Sequence, residues 1–202
     1  QNPNVPQPLT INMGASVNFL LNVTDNAGCH GTSDVVVTVV GGPLSVFASA
    51  APGTVCVGES TVLNAMISGG SGNYSYSWTS IPPGFTSTLQ SPTVYPSVTT
   101  TYSVQVNDGF STISGNTVVN VNPKPVASAG PNACIPYGTS TTLNGAANGG
   151  SGSYSFYWTS SPPGFSSNIM NPTVTNLNIT TIFMLVATDN VTGCVSEPSQ
   201  VM

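Results

Sequence analysis

Gly69-Gly70-Ser71-Gly72-Asn73-Tyr74-Ser75-Tyr76-Ser77-Trp78-Thr79-Ser80-Ile81-Pro82-Pro83-Gly84-Phe85 returns 80 residues later as Gly149-Gly150-Ser151-Gly152-Ser153-Tyr154-Ser155-Phe156-Tyr157-Trp158-Thr159-Ser160-Ser161-Pro162-Pro163-Gly164-Phe165. A match of this length marks an internal repeat, which is read before any strand is assigned. Within it a glycine-rich turn leads into a strand carrying Tyr76 and Trp78, and Pro-Pro-Gly closes that strand. Upstream, Thr61, Leu63 and Asn64 return as Thr141, Leu143 and Asn144. Downstream, Ser91-Pro92-Thr93-Val94 returns as Asn171-Pro172-Thr173-Val174. Residues 43–122 and 123–202 therefore read as two copies of one unit.

Residues 1–42 read as part of a third copy. Asn2-Pro3-Asn4-Val5 resembles the Pro-Thr-Val element from the second half of the unit. An aromatic then stands six residues before an aspartate in every copy: Phe19 and Asp25, Tyr102 and Asp108, Phe183 and Asp189. Apolar residues alternate between them, as in Phe19/Leu21/Val23, Tyr102/Val104/Val106 and Phe183/Leu185/Ala187. The opening segment is expected to hold only the last strands of a unit whose first half is missing.

Alternation of period two places successive side chains on opposite faces of a half-buried strand. One unit then has an early strand around Leu63/Ala65/Ile67 and the Trp78 strand. A late pair follows, joined by an Asp/Asn/Gly turn (Asn107-Asp108-Gly109 or Asp189-Asn190), and its last member runs through Thr117, Val119 and Val121. Short strands, frequent Gly/Pro/Asn turns and no helical period predict an all-β chain of tandem immunoglobulin-like sandwiches. The tryptophan of the third strand and the aromatic of the penultimate one fill the space between the sheets.

At Tyr76-Ser77-Trp78-Thr79, at Thr101-Tyr102-Ser103-Val104-Gln105-Val106-Asn107-Asp108-Gly109 and at their copies, the chain resembles the PKD/Ig-like repeats. These occur in tandem in large secreted surface proteins of the Bacteroidota, gliding-motility-type adhesins among them. The resemblance extends over nearly the whole chain. It departs from the better-known Trp-Asp-Phe-Gly-Asp-Gly signature, which is replaced here by Trp-Thr-Ser followed by Pro-Pro-Gly. The resemblance implies a non-enzymatic structural or adhesive segment at the cell surface.

Charge narrows the function classes independently. The chain of 202 residues has one basic side chain, Lys124, against six carboxylates. Displacing counterions from nucleic-acid phosphates needs a basic face, and attraction to an anionic membrane needs a polybasic one. A single lysine supplies neither. No apolar run approaches the ~18 residues of a spanning helix, and no signal peptide stands at the N-terminus. A hydrophobic content of 39% with two tryptophans argues against disorder.

Four cysteines in so uncharged a chain fit an oxidising compartment. The start of the first strand and the turn between the last two lie at one end of a seven-strand sandwich, which makes Cys134–Cys194 the expected structural disulfide. It would close about 60 residues and contribute about 4 kcal/mol through loop entropy. Cys29 matches Cys194 and is expected to take a partner upstream, and Cys56 is expected to be free or intermolecular. A Cys29–Cys56 bridge is rejected because the two are expected a whole domain apart, beyond the ~7 Å that Cα atoms allow.

Chemistry is sparse. His30 follows Cys29, but neighbours on a strand face opposite ways and cannot cooperate as base and nucleophile. Gly-Gly-Ser-Gly lacks the lysine and helix of a phosphate loop. The recurrent Asp25, Asp108 and Asp189 read as turn braces. A calcium ion on Asp189, Asn190 and backbone carbonyls would have too few carboxylates around it. The expectation is no cofactor, with calcium at Asp189 and Asn190 kept as the alternative that thermal melts with and without chelator would decide. Asn22, Asn73, Asn178 and Asn190 begin Asn-x-Ser/Thr triplets, which arise freely in so Asn/Ser/Thr-rich a chain.

The leading expectation is a stalk or fibre of tandem repeats stiffened by the linkers Gly41-Gly42-Pro43 and Asn122-Pro123-Lys124-Pro125. Its partners would be other repeats of the same or a neighbouring chain. Two alternatives stand beside it. One is a module for surface glycans or other cells, using the loop tips Pro82, Pro83 and Phe85 with Pro162, Pro163 and Phe165. The other is a filament subunit in which another chain donates the strands missing from residues 1–42.

Overall fold

The computed structural model describes residue 13, residues 15–39 and residues 41–202, and every regular element among them is a β-strand. The Asn2-Pro3-Asn4-Val5 element lies outside the described residues. The first strands, β1 (Val17–Thr24) and β2 (His30–Val37), form an antiparallel hairpin registered from Val17↔Val37 to Thr24↔His30. They pair in a sheet of two, and Leu20, Leu21, Val23, Val35 and Val36 are all exposed. Such a ribbon has marginal stability by itself, because neither face is covered.

The strands that follow are β3 (Ser45–Ala51), β4 (Thr54–Cys56), β5 (Thr61–Ser68), β6 (Ser75–Ile81), β7 (Thr86–Ser87), β8 (Thr93–Val94), β9 (Thr100–Asn107) and β10 (Thr112–Asn122). One sheet has the order β3-β5-β8 and the other β4-β10-β9-β6-β7. β3 pairs antiparallel to β5, whereas β4 pairs parallel to β10. The leading strand thus crosses from one sheet to the other between Ala51 and Thr54. Alternation decides what is buried: in β5 Thr61, Leu63 and Ala65 point inward and Val62 and Met66 outward, and in β9 Tyr102, Val104 and Val106 point inward. Trp78 is fully buried at the centre, and its indole N–H donates to the Leu89 carbonyl at 2.9 Å.

The architecture recurs in β11 (Val126–Ser128), β12 (Thr139–Thr142), β13 (Ala146–Asn148), β14 (Tyr154–Ser161), β15 (Ser166–Ser167), β16 (Thr173–Leu177), β17 (Ile182–Asp189) and β18 (Ser199–Val201). β15-β14-β17-β18 faces the pairs β11-β13 and β12-β16 across a second buried cluster of Leu143, Trp158, Val174, Phe183 and Leu185. Trp158 donates to the Met170 carbonyl at 3.1 Å, as Trp78 does to Leu89. The early strand, continuous as β5 in the first sandwich, is split here into β12 and β13. Gly145 stands where the first copy has Ala65, and its N–H donates to Asn171 Oδ1 at 2.9 Å, whereas the Ala65 N–H donates to the Gln90 carbonyl at 3.2 Å. A Cβ at Gly145 would lie 2.4 Å from the Met170 carbonyl oxygen, so only glycine allows this approach. The chain is therefore an all-β protein of immunoglobulin-like sandwiches in tandem.

Candidate functional site

The joint between the two sandwiches holds a covalent link. Cys56 and Cys194 are disulfide-bonded, with Cα atoms 5.7 Å apart and 138 residues between them in sequence. The expected Cys134–Cys194 pairing is therefore corrected: Cys194 takes its partner from the preceding sandwich, and Cys134 and Cys29 are free and exposed. Cys56, expected to be free, is bonded.

Strand direction explains the correction. Cys56 ends the leading strand instead of starting it, and β4 runs parallel to β10 with Cys56 beside Asn122. Val57 N–H donates to the Asn122 carbonyl at 3.0 Å. Cys56 thus sits at the trailing end of its sandwich, where the chain leaves through Pro123-Lys124-Pro125. Cys194 follows the turn after β17, at the leading end of the next sandwich. The two ends meet at the joint. Lys124 also pairs with Glu197 at 3.2 Å, but Glu197 is almost fully exposed, and exposed ion pairs contribute little.

The leading end is built around the recurrent aspartate. In β17, Asp189 is buried, and its carboxylate accepts from Ser151 N–H at 2.5 Å, Ser151 Oγ at 2.7 Å, Val191 N–H at 2.9 Å and Thr192 N–H at 3.1 Å. Asp108 repeats the arrangement with Ser71 N–H at 3.0 Å, Phe110 N–H at 3.0 Å and Ser111 N–H at 2.7 Å. The glycine-rich loop therefore wraps the aspartate. Gly150, at φ +58°, is held so close that a Cβ would lie 2.3 Å from Asp189 Oδ2. Tyr74 donates to the Gly69 carbonyl at 2.6 Å, and Tyr154 does the same to Gly149. Sequence reasoning saw Ser71, Ser151, Tyr74 and Tyr154 only as parts of a turn. Their recurrence in register with the aspartates is the signal that pairs them.

These donors set the carboxylate chemistry. Backbone N–H from Ser111 and then Phe110 holds Asp108 below its ordinary 3.8, and Ser151, through its N–H and hydroxyl, holds Asp189 lower still. A carboxylate saturated by N–H dipoles braces a loop. Among the described residues, no three His, Cys, Asp or Glu side chains gather to hold a metal. Because folding depresses both values, the unfolded chain takes up protons first on acidification. Stability is expected to be level above about pH 5 and to fall below pH 3.8 as the folded-state values are approached. Urea midpoints measured across that range test this, and a midpoint as high at about pH 2 as at neutrality would refute it.

The remaining sequence candidates separate cleanly. Phe85 and Phe165 pack inward, edge-on to Tyr102 and Phe183 with ring centroids 5.5 Å apart in each case. Pro82, Pro83, Pro162 and Pro163 are exposed at the tips. The aromatics thus cover the sandwich and do not join the prolines in a knob. His30 Nδ1 lies 2.8 Å from Thr24 Oγ1 across the hairpin. A cleft of about 560 Å³ opens at the trailing end of the second sandwich, lined by Cys134, Ile135, Tyr137, Leu177, Ile179 and Met202 among others. Among the described residues, no helix is long and apolar enough to cross a membrane.

No family model matches the chain, and no curated protein matches it in sequence. Among solved structures, domains A168–A170 of titin are 13% identical and match over 97% of this chain and 94% of that one, with a TM-score of 0.42. The N-terminal eight Ig domains of Down syndrome cell adhesion molecule are 18% identical over 92% of this chain and 26% of that one, at 0.46. Murine CEACAM1b is 13% identical over 79% of this chain and 100% of that one, at 0.33. The chain spans about a quarter of the DSCAM structure. The fold assignment stands on the strand order and the two cores.

Proposed function

We propose that this chain is a non-enzymatic stalk or fibre segment of an extracellular bacterial surface protein. Residues 43–122 and 123–202 would be two whole repeats, and residues 1–42 the end of another. The observation that carries this reading is the Cys56–Cys194 bond across the joint. A disulfide linking successive sandwiches fixes how one follows the next, which is the task of a stalk. It also fits an oxidising location. The PKD-like class and the Bacteroidota source rest on the sequence resemblance. Adhesion through the loop tips has less support, because Phe85 and Phe165 face their own cores. The exposed hairpin β1–β2 fits a unit that takes its other strands from adjoining sequence or a neighbouring chain. Small-angle scattering of the monomer is expected to show an elongated particle two sandwiches long. A compact profile, with the sandwiches folded side by side, would sink the reading.

A further inference from the structure

The two exposed cysteines occupy the same kinds of place as the two bonded ones. Cys29 follows the β1–β2 turn, where its carbonyl accepts from Asp25 N–H at 3.0 Å. Cys194 follows the equivalent turn, and its carbonyl accepts from Asp189 N–H at 2.8 Å. Asp25 Oδ1 braces its turn through Ala27 N–H at 2.8 Å and Cys29 N–H at 2.9 Å, as Asp189 braces its own. Cys29 is thus a leading-end cysteine.

Cys134 is a trailing-end cysteine. It follows Ala133, whose N–H donates to the Met202 carbonyl at 3.0 Å, just as Val57, next to Cys56, donates to Asn122. In the first sandwich β4 runs parallel to β10, and in the second the irregular segment around Ala133 takes that place beside Met202, so each cysteine lies at the end where the last strand finishes. Cys134 precedes the positive-φ Gly138 by four residues where Cys56 precedes Gly58 by two. Residues 129–136 lie outside any strand, so Cys134 is placed at this end by the Ala133–Met202 bond and not by a strand register. The cleft beside Cys134 opens at this end as well.

We propose that Cys29 and Cys134 are the two open halves of the Cys56–Cys194 latch, each made to bond the complementary cysteine of an adjoining repeat. The inference rests on the stalk reading and specifies how the stalk is joined: trailing-end cysteine to leading-end cysteine, never like to like. Two copies of this chain linked Cys134 to Cys29 reproduce the junction. Because the contact is heterologous, it propagates in one direction instead of closing a dimer. The Cys134 thiolate attacks a low-molecular-weight disulfide such as oxidised glutathione and expels one small thiol. The Cys29 thiolate of the other copy then attacks the Cys134 sulfur of that mixed disulfide and expels the second. The two electrons end on the small disulfide, and the two protons given up by the cysteines end on the two released thiols.

The test uses the chain, C29S and C134S under a glutathione redox buffer, read by non-reducing electrophoresis and peptide mapping. The unaltered chain is expected to form a ladder whose cross-linked peptide joins Cys134 to Cys29. Each variant alone is expected to stay monomeric, while an equimolar mixture of the two gives dimer and nothing larger. Monomer throughout, or like-to-like dimers from a single variant as abundant as those from the mixture, would overturn the proposal. A monomer that scatters as a rod yet fails to cross-link sinks this inference and leaves the stalk reading standing. A compact monomer sinks the stalk reading and this inference with it.

Discussion

Trp78→Ala is expected to lower the stability of the first sandwich by about 3–5 kcal/mol, the usual cost of truncating a buried large aromatic. Trp78 is fully buried, paired across β6 and β9 with Val104, and surrounded by Leu63, Ala65, Val94 and Val119. Small β-rich neighbours cannot collapse into the space an indole leaves, because their backbones are fixed by two sheets. The Leu89 carbonyl loses its indole donor as well. Against a total of about 5–15 kcal/mol for a domain, a loss of this size removes much of the folding free energy. Trp158 has its own core, so it serves as an internal control: in the Trp78→Ala chain its fluorescence is expected to keep a buried-indole emission and to report an unshifted second transition. Urea unfolding followed by that emission and by circular dichroism separates the two cores. A loss below about 1 kcal/mol would mean that Trp78 is not the keystone of its sandwich.

Replacing both Cys56 and Cys194 by serine is the second large perturbation. Removing a bond that closes so long a segment is expected to cost about 2–4 kcal/mol, chiefly by giving the unfolded chain back its freedom. The expected signature differs from that of the tryptophan. Neither core is touched, so the native fluorescence and circular dichroism of the double variant are expected to match those of the unaltered chain. What changes are the thermal midpoint and the orientation of one sandwich to the next, which then depends on Asn122-Pro123-Lys124-Pro125 and the Lys124–Glu197 pair. Calorimetry of both chains, with scattering in parallel, checks this. Identical midpoints would show that the joint is organised by packing, with the disulfide incidental to it.

Much of the fold was legible because the repeat exposes it. Tyr76-Ser77-Trp78 and its copy announce a strand, Pro82-Pro83-Gly84 its end, and the alternation through Tyr102, Val104 and Val106 a buried face. Each of these is a local property, readable from neighbours two residues apart. The disulfide was not local. Its prediction turned on which end of a sandwich Cys56 and Cys134 occupy, and that depends on where the leading strand changes sheets. The crossing between β3 and β4 carries Cys56 to the exit end, beside Asn122. No periodicity in residues 45–56 reports that crossing. The aspartate-centred loops were half legible. Asp108 and Asp189 were seen to brace their own turns, but their bonds to Ser71 and Ser151 span 37 and 38 residues and require the folded sheet to bring them together.

The parallel pairing of β4 with β10 gives the joint a mechanical character. Tension along the chain enters the second sandwich by two routes, the peptide through Asn122 and the sulfur bridge from Cys56, and both leave the first sandwich from adjacent strands at the same end. A joint anchored at two points resists twisting about its long axis, as a hinge with two pins does and a single cord does not. Pulling also draws β4 and β10 in the same direction, so their short ladder is not sheared strand against strand. Breaking the bridge by reduction would turn a torsionally stiff coupling into a swivel while the peptide through Asn122 still joins the two sandwiches, so that local redox conditions would set the stiffness of the joint.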